Sequence, residues 1–342
     1  MRGGWRRAPL TRVSTTFTVV TGEAKRVRTL WDRTLCASAA SEQLVRPRRS
    51  VLFMPGSNAK AVNKARSLPA DVVVLDLEDA VAPAVKAQAR GMVLTELHAG
   101  GFGPRELAVR ANGLDTQWAE EDLAMIARSG AHAVAIPKVE RGETVERVRA
   151  ILGSYNAPSQ LAIWSMIETP LGVLRAEEIC VAGKGDGNAA APCRNPMTAV
   201  IMGTSDLTKE LRAQHTPCRS ALTTSLQLVM LAARSHGMLA LDGVNLDFRN
   251  TEELREHCQA ARVMGFDGKT LIHPNQLVTA NEIFAPSAKA VLHAKEVIVA
   301  HTEAVSKGEN VAVVDGKLVE NLHVADARHV LALHEAIIAQ QF

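Results

Sequence analysis

Eight short apolar, β-branched runs recur between Val51 and Ile272, and segments of helical spacing separate most of them. The runs are Val51–Met54, Val72–Leu77, Leu107–Val109, Ala133–Ile136, Leu161–Ile167, Ala199–Met202, Met238–Leu241 and Thr270–Ile272. The helical stretches include Ala84–His98, Trp118–Ser129, Glu143–Leu152, Arg219–His236 and Thr251–Met264. Strands joined by helices run parallel, and strands covered on both faces read as continuous apolar stretches rather than alternating ones. Eight such units over roughly 230 residues predict an α/β fold, a closed (β/α)8 TIM barrel rather than an open doubly wound sheet.

The polar residues cluster at the C-terminal ends of these runs, where a barrel builds its active site. They include Pro55-Gly56-Ser57-Asn58, Asp76-Glu78-Asp79, Arg110-Asn112, Pro137-Lys138-Glu140, Glu168-Thr169, Ser205-Asp206, Asp242 and His273-Pro274-Asn275. Two of them stand out. Leu161–Thr169 (LAIWSMIET) and Ala199–Ser205 (AVIMGTS) each deliver a carboxylate, Glu168 and Asp206, at the end of an otherwise apolar strand. A carboxylate there costs several kcal/mol unless it is paired, hydrogen-bonded or bound to a cation. Two of them suggest a hard divalent metal, and Mg²⁺ suits a site with one or two protein carboxylates. Helix capping is the competing reading, because Thr169-Pro170 resembles a helix start.

Composition narrows the function classes. A formal net charge of +3 and the absence of a basic stripe interleaved with aromatics argue against nucleic acid. No apolar stretch reaches the roughly 18 residues that a membrane span needs. The five cysteines show no CxxC spacing, so a reduced protein without a zinc site or disulfide framework is the simple reading. No GxGxxG follows the first strand and no GxxxxGK[ST] occurs, which weakens nucleotide readings.

Residues 1–45 differ from the rest. They are rich in arginine, serine and threonine, and only Glu23, Asp32 and Glu42 are acidic. That pattern matches organelle transit peptides, and a disordered tail or an upstream start in a bacterial frame is the plainer alternative. Localisation is therefore expected to be mitochondrial in a eukaryote and otherwise cytoplasmic. Gly183–Pro196 is expected to be a surface excursion, the barrel to span 46–285, and 286–342 to form an appendage. In that appendage a long helical stretch reaches Lys307, Val311–Leu318 forms a hairpin turning at Asp315-Gly316, and a helix covers His323–Gln340.

Seven segments appear in order: RSVLFMPGSN (Arg49–Asn58), LDLEDAV (Leu75–Val81), VRANG with Arg110, IPKVE (Ile136–Glu140), IETPLG (Ile167–Gly172), GTSDL (Gly203–Leu207) and GFDGKTLIHPNQ (Gly265–Gln276). Together they resemble the citrate lyase β-subunit-like CoA-thioester lyases of the HpcH/HpaI aldolase superfamily, from Arg49 to the C-terminus. The resemblance implies that Glu168 and Asp206 hold Mg²⁺ and that Arg110 holds the substrate's carbonyl or carboxylate. Phe53, Lys60, Lys64 and the backbone at Ile272-His273 would touch CoA. Asp76, Glu78 and Asp79 would form an acidic ring near the metal. A guanidinium fork suits a keto acid or an enolate oxygen, which agrees with the Arg110 role. Plainer readings stand beside these: Lys60 and Lys64 as a solvated helix face, Arg110 paired with the LDLED carboxylates, and His273 as a satisfied strand-end histidine.

Relatives acting on malyl- and citramalyl-type thioesters use an aspartate in the C-terminal appendage, supplied across a subunit interface. Here Gly316-Lys317-Leu318-Val319 leads to Glu320, whose arm is longer by one methylene, about 1.5 Å, enough to matter for a base. The resemblance thus implies a Mg²⁺-dependent carbon–carbon lyase that takes a 3-hydroxyacyl-CoA to acetyl-CoA and a 2-keto acid. It also implies a closed homo-oligomer, most simply a trimer. A citryl-CoA lyase β subunit of a citrate lyase complex and a non-catalytic CoA- or metal-binding scaffold are the alternatives.

Overall fold

The computed structural model describes residues 45–185 and 193–340. The leader up to residue 44 and the centre of the Gly183–Pro196 excursion lie outside the described residues. Eight strands form a closed parallel barrel in sequence order. They are β1 (Ser50–Pro55), β2 (Val72–Asp76), β3 (Glu106–Arg110), β4 (Ala133–Ile136), β5 (Ala162–Ile167), β6 (Met197–Met202), β7 (Leu239–Asp242) and β8 (Gly268–Leu271). The ring closes where Val51 of β1 pairs with Thr270 of β8. The expected barrel is the fold that forms, and the predicted runs differ from the strands by a residue or two at their ends.

Alternation along each strand sorts side chains into two layers. One layer faces the barrel interior: Val51, Val72, Val74, Ala108, Ala133, Ala135, Ala162, Trp164, Met166, Ala199, Ile201 and Leu241. Four alanines of β3, β4 and β5 leave room, and the fully buried Trp164 indole fills it. The other layer, including Leu52, Val73, Leu75, Val134 and Ile163, packs under the helices. Helix Thr251–Met264 shows how that layer is made. Leu254, Cys258 and Ala261 recur on one face and are buried, Asn250 caps the start through the Glu253 N–H at 3.1 Å, and Gly265 at φ 100° ends the helix.

Contacts divide the chain into two compact units. The first holds the barrel, from Arg46 to Ala288, together with the residues from Ala332 onward. The second, Lys289–Leu331, has its own small core of Val291, Ala294, Val297, Ile298, Val314, Val319, Val324, Ala327 and Leu331. Its hairpin, β9 (Ala312–Val314) and β10 (Lys317–Val319), turns through Asp315 at φ 50° and Gly316 at φ 72°. Two successive left-handed residues make the tight turn that an Asp-Gly pair favours. No helix among the described residues is long and apolar enough to cross a membrane.

Candidate active site

Where interior-facing residues reach the C-terminal ends of the strands, the apolar lining gives way to charge. Asp76 follows Val74 on the inward side of β2, Arg110 follows Ala108 on β3, and Glu168 follows Met166 beyond β5. The register makes Pro55, Asp76 and Arg110 lateral neighbours across β1, β2 and β3. A cavity of about 450 Å³ opens above them. Its polar wall includes Asp76, Asp79, Arg110, Glu168 and Asp206, and its apolar wall includes Phe53, Met166, Met202, Val244, Leu246 and Ile272.

Arg110 makes the pairing with the LDLED carboxylates that the plainer sequence reading offered. Its Nε and Nη2 donate to the two Asp76 oxygens at 2.7 and 2.6 Å, and its Nη1 donates to Asp79 Oδ2 at 3.3 Å. Glu78 Oε2 lies 2.8 Å from Nη1 but accepts no hydrogen bond, so that contact is an ion pair off the N–H direction. The guanidinium also lies 5.3 Å over the Phe53 ring, which puts Phe53 beside Arg110 in the cavity. Burial works against the Arg110 charge, and Asp76, Glu78 and Asp79 outweigh it, so the group stays charged. Asp76 is fully engaged. Beyond the two Arg110 bonds it accepts the N–H groups of Glu78 and Ala80 at 2.9 and 3.1 Å, which fixes the loop carrying Glu78 and Asp79.

Glu168 is different. It is 2 % exposed, and its Oε2 is buried with no hydrogen-bond partner. Burial, then the charges of Glu78 and Asp206, push its carboxyl up to about 8 despite Arg110 and Lys138 nearby. Burial likewise pushes Glu78 up to about 7, with Asp79 and Asp76 adding to it against Arg110 and Lys138. Helix capping does not account for Glu168, because Thr169 caps the next helix through the Gly172 N–H at 3.0 Å. Asp206 lies in the first turn of helix Thr204–Glu210, lines the same cavity, and has no hydrogen bond or ion pair among the described residues. Gly203 makes room for this arrangement, since a Cβ there would sit 2.2 Å from Glu168 Cγ. Two carboxylates, one with an orphaned buried oxygen, in an oxygen-only donor set fit a hard divalent cation such as Mg²⁺.

The remaining predicted contacts are not gathered here. Lys60 and Lys64 are exposed on helix Ala59–Ala65 and do not line the cavity, as a solvated helix face would have it. Ile272 lines it, but the Ile272 and His273 N–H groups both donate to Gln276 Oε1, at 2.9 and 3.2 Å. The His273 ring stacks on Phe248 at 4.4 Å, and its Nδ1 accepts the Asn275 N–H at 3.1 Å. It is a satisfied strand-end histidine. Asp242 belongs to the outer layer, because Leu241 before it faces inward. There it is fully buried between Lys269 Nζ at 2.6 Å and Arg219 Nη1 at 2.7 Å.

One residue gains weight. Lys138 follows β4 with φ 51°, a left-handed backbone that costs a non-glycine residue about 1 kcal/mol. Its Nζ lies 3.5 Å from Glu78 Oε1. Burial lowers its pKa, but Glu78, Asp79, Glu168 and Asp206 raise it overall. Its rim position was legible in the strand pattern, while its backbone and its reach toward the carboxylates were not. Glu320 lies in the second compact unit, exposed just before helix Asn321–Ala339, with its N–H donating to His323 Nδ1 at 3.1 Å.

A sequence profile of HpcH/HpaI aldolase/citrate lyase matches residues 49–274. The chain is 46 % identical over 293 residues to a (3S)-malyl-CoA thioesterase of Cereibacter sphaeroides, covering 86 % of this chain and 96 % of that protein. It is 32 % identical over 308 residues to an L-malyl-CoA/beta-methylmalyl-CoA lyase of the same species, covering 86 % and 96 %. Among solved structures it resembles CitE of Mycobacterium tuberculosis in complex with magnesium, acetoacetate and coenzyme A. That match has a TM-score of 0.62 at 26 % identity and covers 84 % of this chain and 97 % of that one. The barrel, the ordered motifs and these likenesses agree: the chain belongs to the HpcH/HpaI aldolase/citrate lyase family of enzymes.

Proposed function

We propose that this protein is a Mg²⁺-dependent carbon–carbon lyase acting on a 3-hydroxyacyl-CoA thioester such as malyl-CoA or citramalyl-CoA, to give acetyl-CoA and a 2-keto acid, or the reverse condensation. The observation that carries this reading is the pair Glu168 and Asp206. Both line one cavity, neither has a hydrogen bond or ion pair among the described residues, and one Glu168 oxygen is orphaned in the interior. These two side chains would hold Mg²⁺, which supplies Lewis-acid polarisation of the substrate oxygen and neutralises developing charge. Arg110, fixed by Asp76, faces the cavity where an enolate or carboxylate oxygen would lie. The apolar wall of Met166, Met202, Val244 and Leu246 keeps water from a carbanion-like centre. Glu320 is the proton acceptor for the carbinol hydroxyl. It comes from the appendage of a neighbouring copy, in a closed homo-oligomer that is most simply a trimer.

The 46 % identity to a malyl-CoA thioesterase favours a second reading, hydrolysis of the thioester at the same site. The two readings leave different products. Purified protein incubated with malyl-CoA, citramalyl-CoA and citryl-CoA plus Mg²⁺ should yield acetyl-CoA and a keto acid by mass spectrometry, and EDTA should stop the reaction. Free CoA with the intact hydroxy acid would establish hydrolysis instead. Turnover only in the presence of partner chains would point to a citrate lyase β subunit, and CoA binding without any turnover would point to a scaffold.

A further inference from the structure

Every charged side chain that lines the reactive cavity comes from β2 to β6 or the loops that follow them: Asp76, Asp79, Arg110, Glu168 and Asp206. The β7 and β8 side contributes Val244, Leu246, Thr270 and Ile272, and no charge. Neither a metal nor an ion pair can therefore hold that wall in place. Burial does little for it either, because Leu246 and Ile272 are 53 % and 40 % exposed.

One buried side chain reaches both loops. Gln276 is 1 % exposed. Its Oε1 accepts the Ile272 and His273 N–H groups at 2.9 and 3.2 Å, and its Nε2 donates to Asn245 O at 3.0 Å. The first two bonds are a local cap that closes the helical turn Pro274–Gln276. The third is not local. It reaches back 31 residues and lands between Val244 and Leu246, both of which line the cavity. Asn245 is pinned from its other end as well. Its Nδ2 donates to Glu253 Oε1 at 3.2 Å and to His257 Nδ1 at 3.1 Å, while His257 Nε2 donates to Pro217 O at 2.8 Å. Burial, with the Arg219 and Lys269 charges, pushes the His257 ring down to about 4, so it stays neutral and Nδ1 remains an acceptor. An amide serves this place without charge, since its oxygen takes two N–H groups while its nitrogen donates to a carbonyl.

We propose that Gln276 is a positioning residue whose amide clasps the loops after β7 and β8, so that Leu246 and Ile272 stand together as the uncharged wall against which the thioester binds. The inference rests on the thioester reading given above. Gln276→Glu separates the clasp from the cap. A carboxylate still accepts both N–H groups, but it turns its other oxygen toward Asn245 O, acceptor against acceptor. A protonated carboxyl donates to Asn245 O as the amide does, so lowering the pH restores the clasp. The charged and titratable groups on the surrounding elements, Arg219, Asp242, Glu253, His257, Lys269 and His273, are common to parent and variant. The ratio of variant to parent at each pH therefore removes their effect.

The test uses the full chain with Mg²⁺ and malyl-CoA. At about pH 8.5 Gln276→Glu should raise KM about tenfold while kcat changes by less than about threefold, as expected when binding alone is loosened. The Mg²⁺ concentration for half-maximal activation should stay within about twofold, because Glu168 and Asp206 lie on the far strands. At about pH 6 the KM ratio should fall to within about twofold of one as the carboxyl takes up its proton. Amide exchange at the higher pH should run about tenfold faster in segments 243–248 and 272–276, and at the parent rate in 203–210. Gln276→Leu, which removes cap and clasp together, should show the KM defect at both pH values. A parent-like KM at the higher pH, a defect that ignores pH in Gln276→Glu, or KM, kcat and Mg²⁺ requirement that worsen together would overturn the assignment. If the parent binds malyl-CoA but never turns it over, the lyase reading fails, and dissociation constants decide the same comparison. If the parent binds no hydroxy-acid thioester at all, both fall.

Discussion

Replacing Gly203 by alanine puts a methyl group where the Glu168 side chain lies. The added carbon would stand 2.2 Å from Glu168 Cγ, 2.8 Å from Cδ and 2.9 Å from Cβ, whereas ordinary contact begins near 3.4 Å. At its closest point the overlap is therefore about 1.2 Å. The clash runs along the whole near end of the side chain, so turning the carboxylate alone does not relieve it. Gly203 has φ −88°, which alanine adopts without strain, so the effect is steric rather than conformational. Overpacking of this kind costs about 1–3 kcal/mol of stability, and a carboxylate displaced by about 1 Å loses about 100-fold in rate. The assay is kcat and the Mg²⁺ concentration for half-maximal activation, with urea unfolding in EDTA alongside. Gly203→Ala should fold, lose about two decades of activity and need more Mg²⁺. In a Glu168→Ala background the same substitution should cost much less stability, because Cγ and Cδ are absent. Parent-like Mg²⁺ activation in Gly203→Ala would refute the reasoning, and so would equal destabilisation in both backgrounds.

Three further outcomes are expected. Glu168 and Glu78, pushed up to about 8 and about 7, hold protons in the metal-free fold that the unfolded chain gives up near 4.5. Their stabilisation is present at low pH and lost as pH rises through 7 to 8, on the order of several kcal/mol between pH 5 and 9. Urea midpoints in EDTA should fall over that range, Mg²⁺ should restore them at the alkaline end, and Glu168→Gln should flatten the profile; a flat parent profile would contradict the burial of Glu168. Arg110→Lys should lose activity and about 2–4 kcal/mol of stability, because an ammonium cannot hold both Asp76 oxygens in the buried fork; near-normal kcat would limit Arg110 to a structural ion pair. Mixing Arg110→Ala and Glu320→Gln subunits, each shown to be inactive and assembled, should restore part of the activity, and subunit exchange without complementation would place the whole site in one chain.

The barrel was legible because its strands are apolar on both faces and evenly interrupted, a pattern that few other folds require. Glu168 and Asp206 were legible for a related reason, since a charged group at the end of a buried strand has to be accounted for. Asp242 shows the limit of reading strand ends without alternation. It sits one residue after the inward-facing Leu241, and it meets Lys269 and Arg219 outside the barrel rather than any ligand within it. Lys60 and Lys64 share one helix face by spacing, but spacing cannot say whether that face meets a cavity. The left-handed backbone of Lys138 has no sequence signal, because lysine carries no preference for that conformation. The double use of Gln276, bound to two backbone N–H groups of one loop and to Asn245 O of another at 3.0 Å, is likewise invisible before folding.

Trp164 gives the barrel an unequal division of labour. Its indole lies fully buried among alanines, donates to Thr198 Oγ1 at 3.1 Å, and has the Arg48 guanidinium 5.7 Å from its ring. Met166, two residues further along β5, lines the reactive cavity above it. A single aromatic residue thus plugs the barrel below that chamber without lining it. Trimming this position would therefore remove core volume away from the residues that line the chamber, and should lower stability before it alters what the chamber accepts.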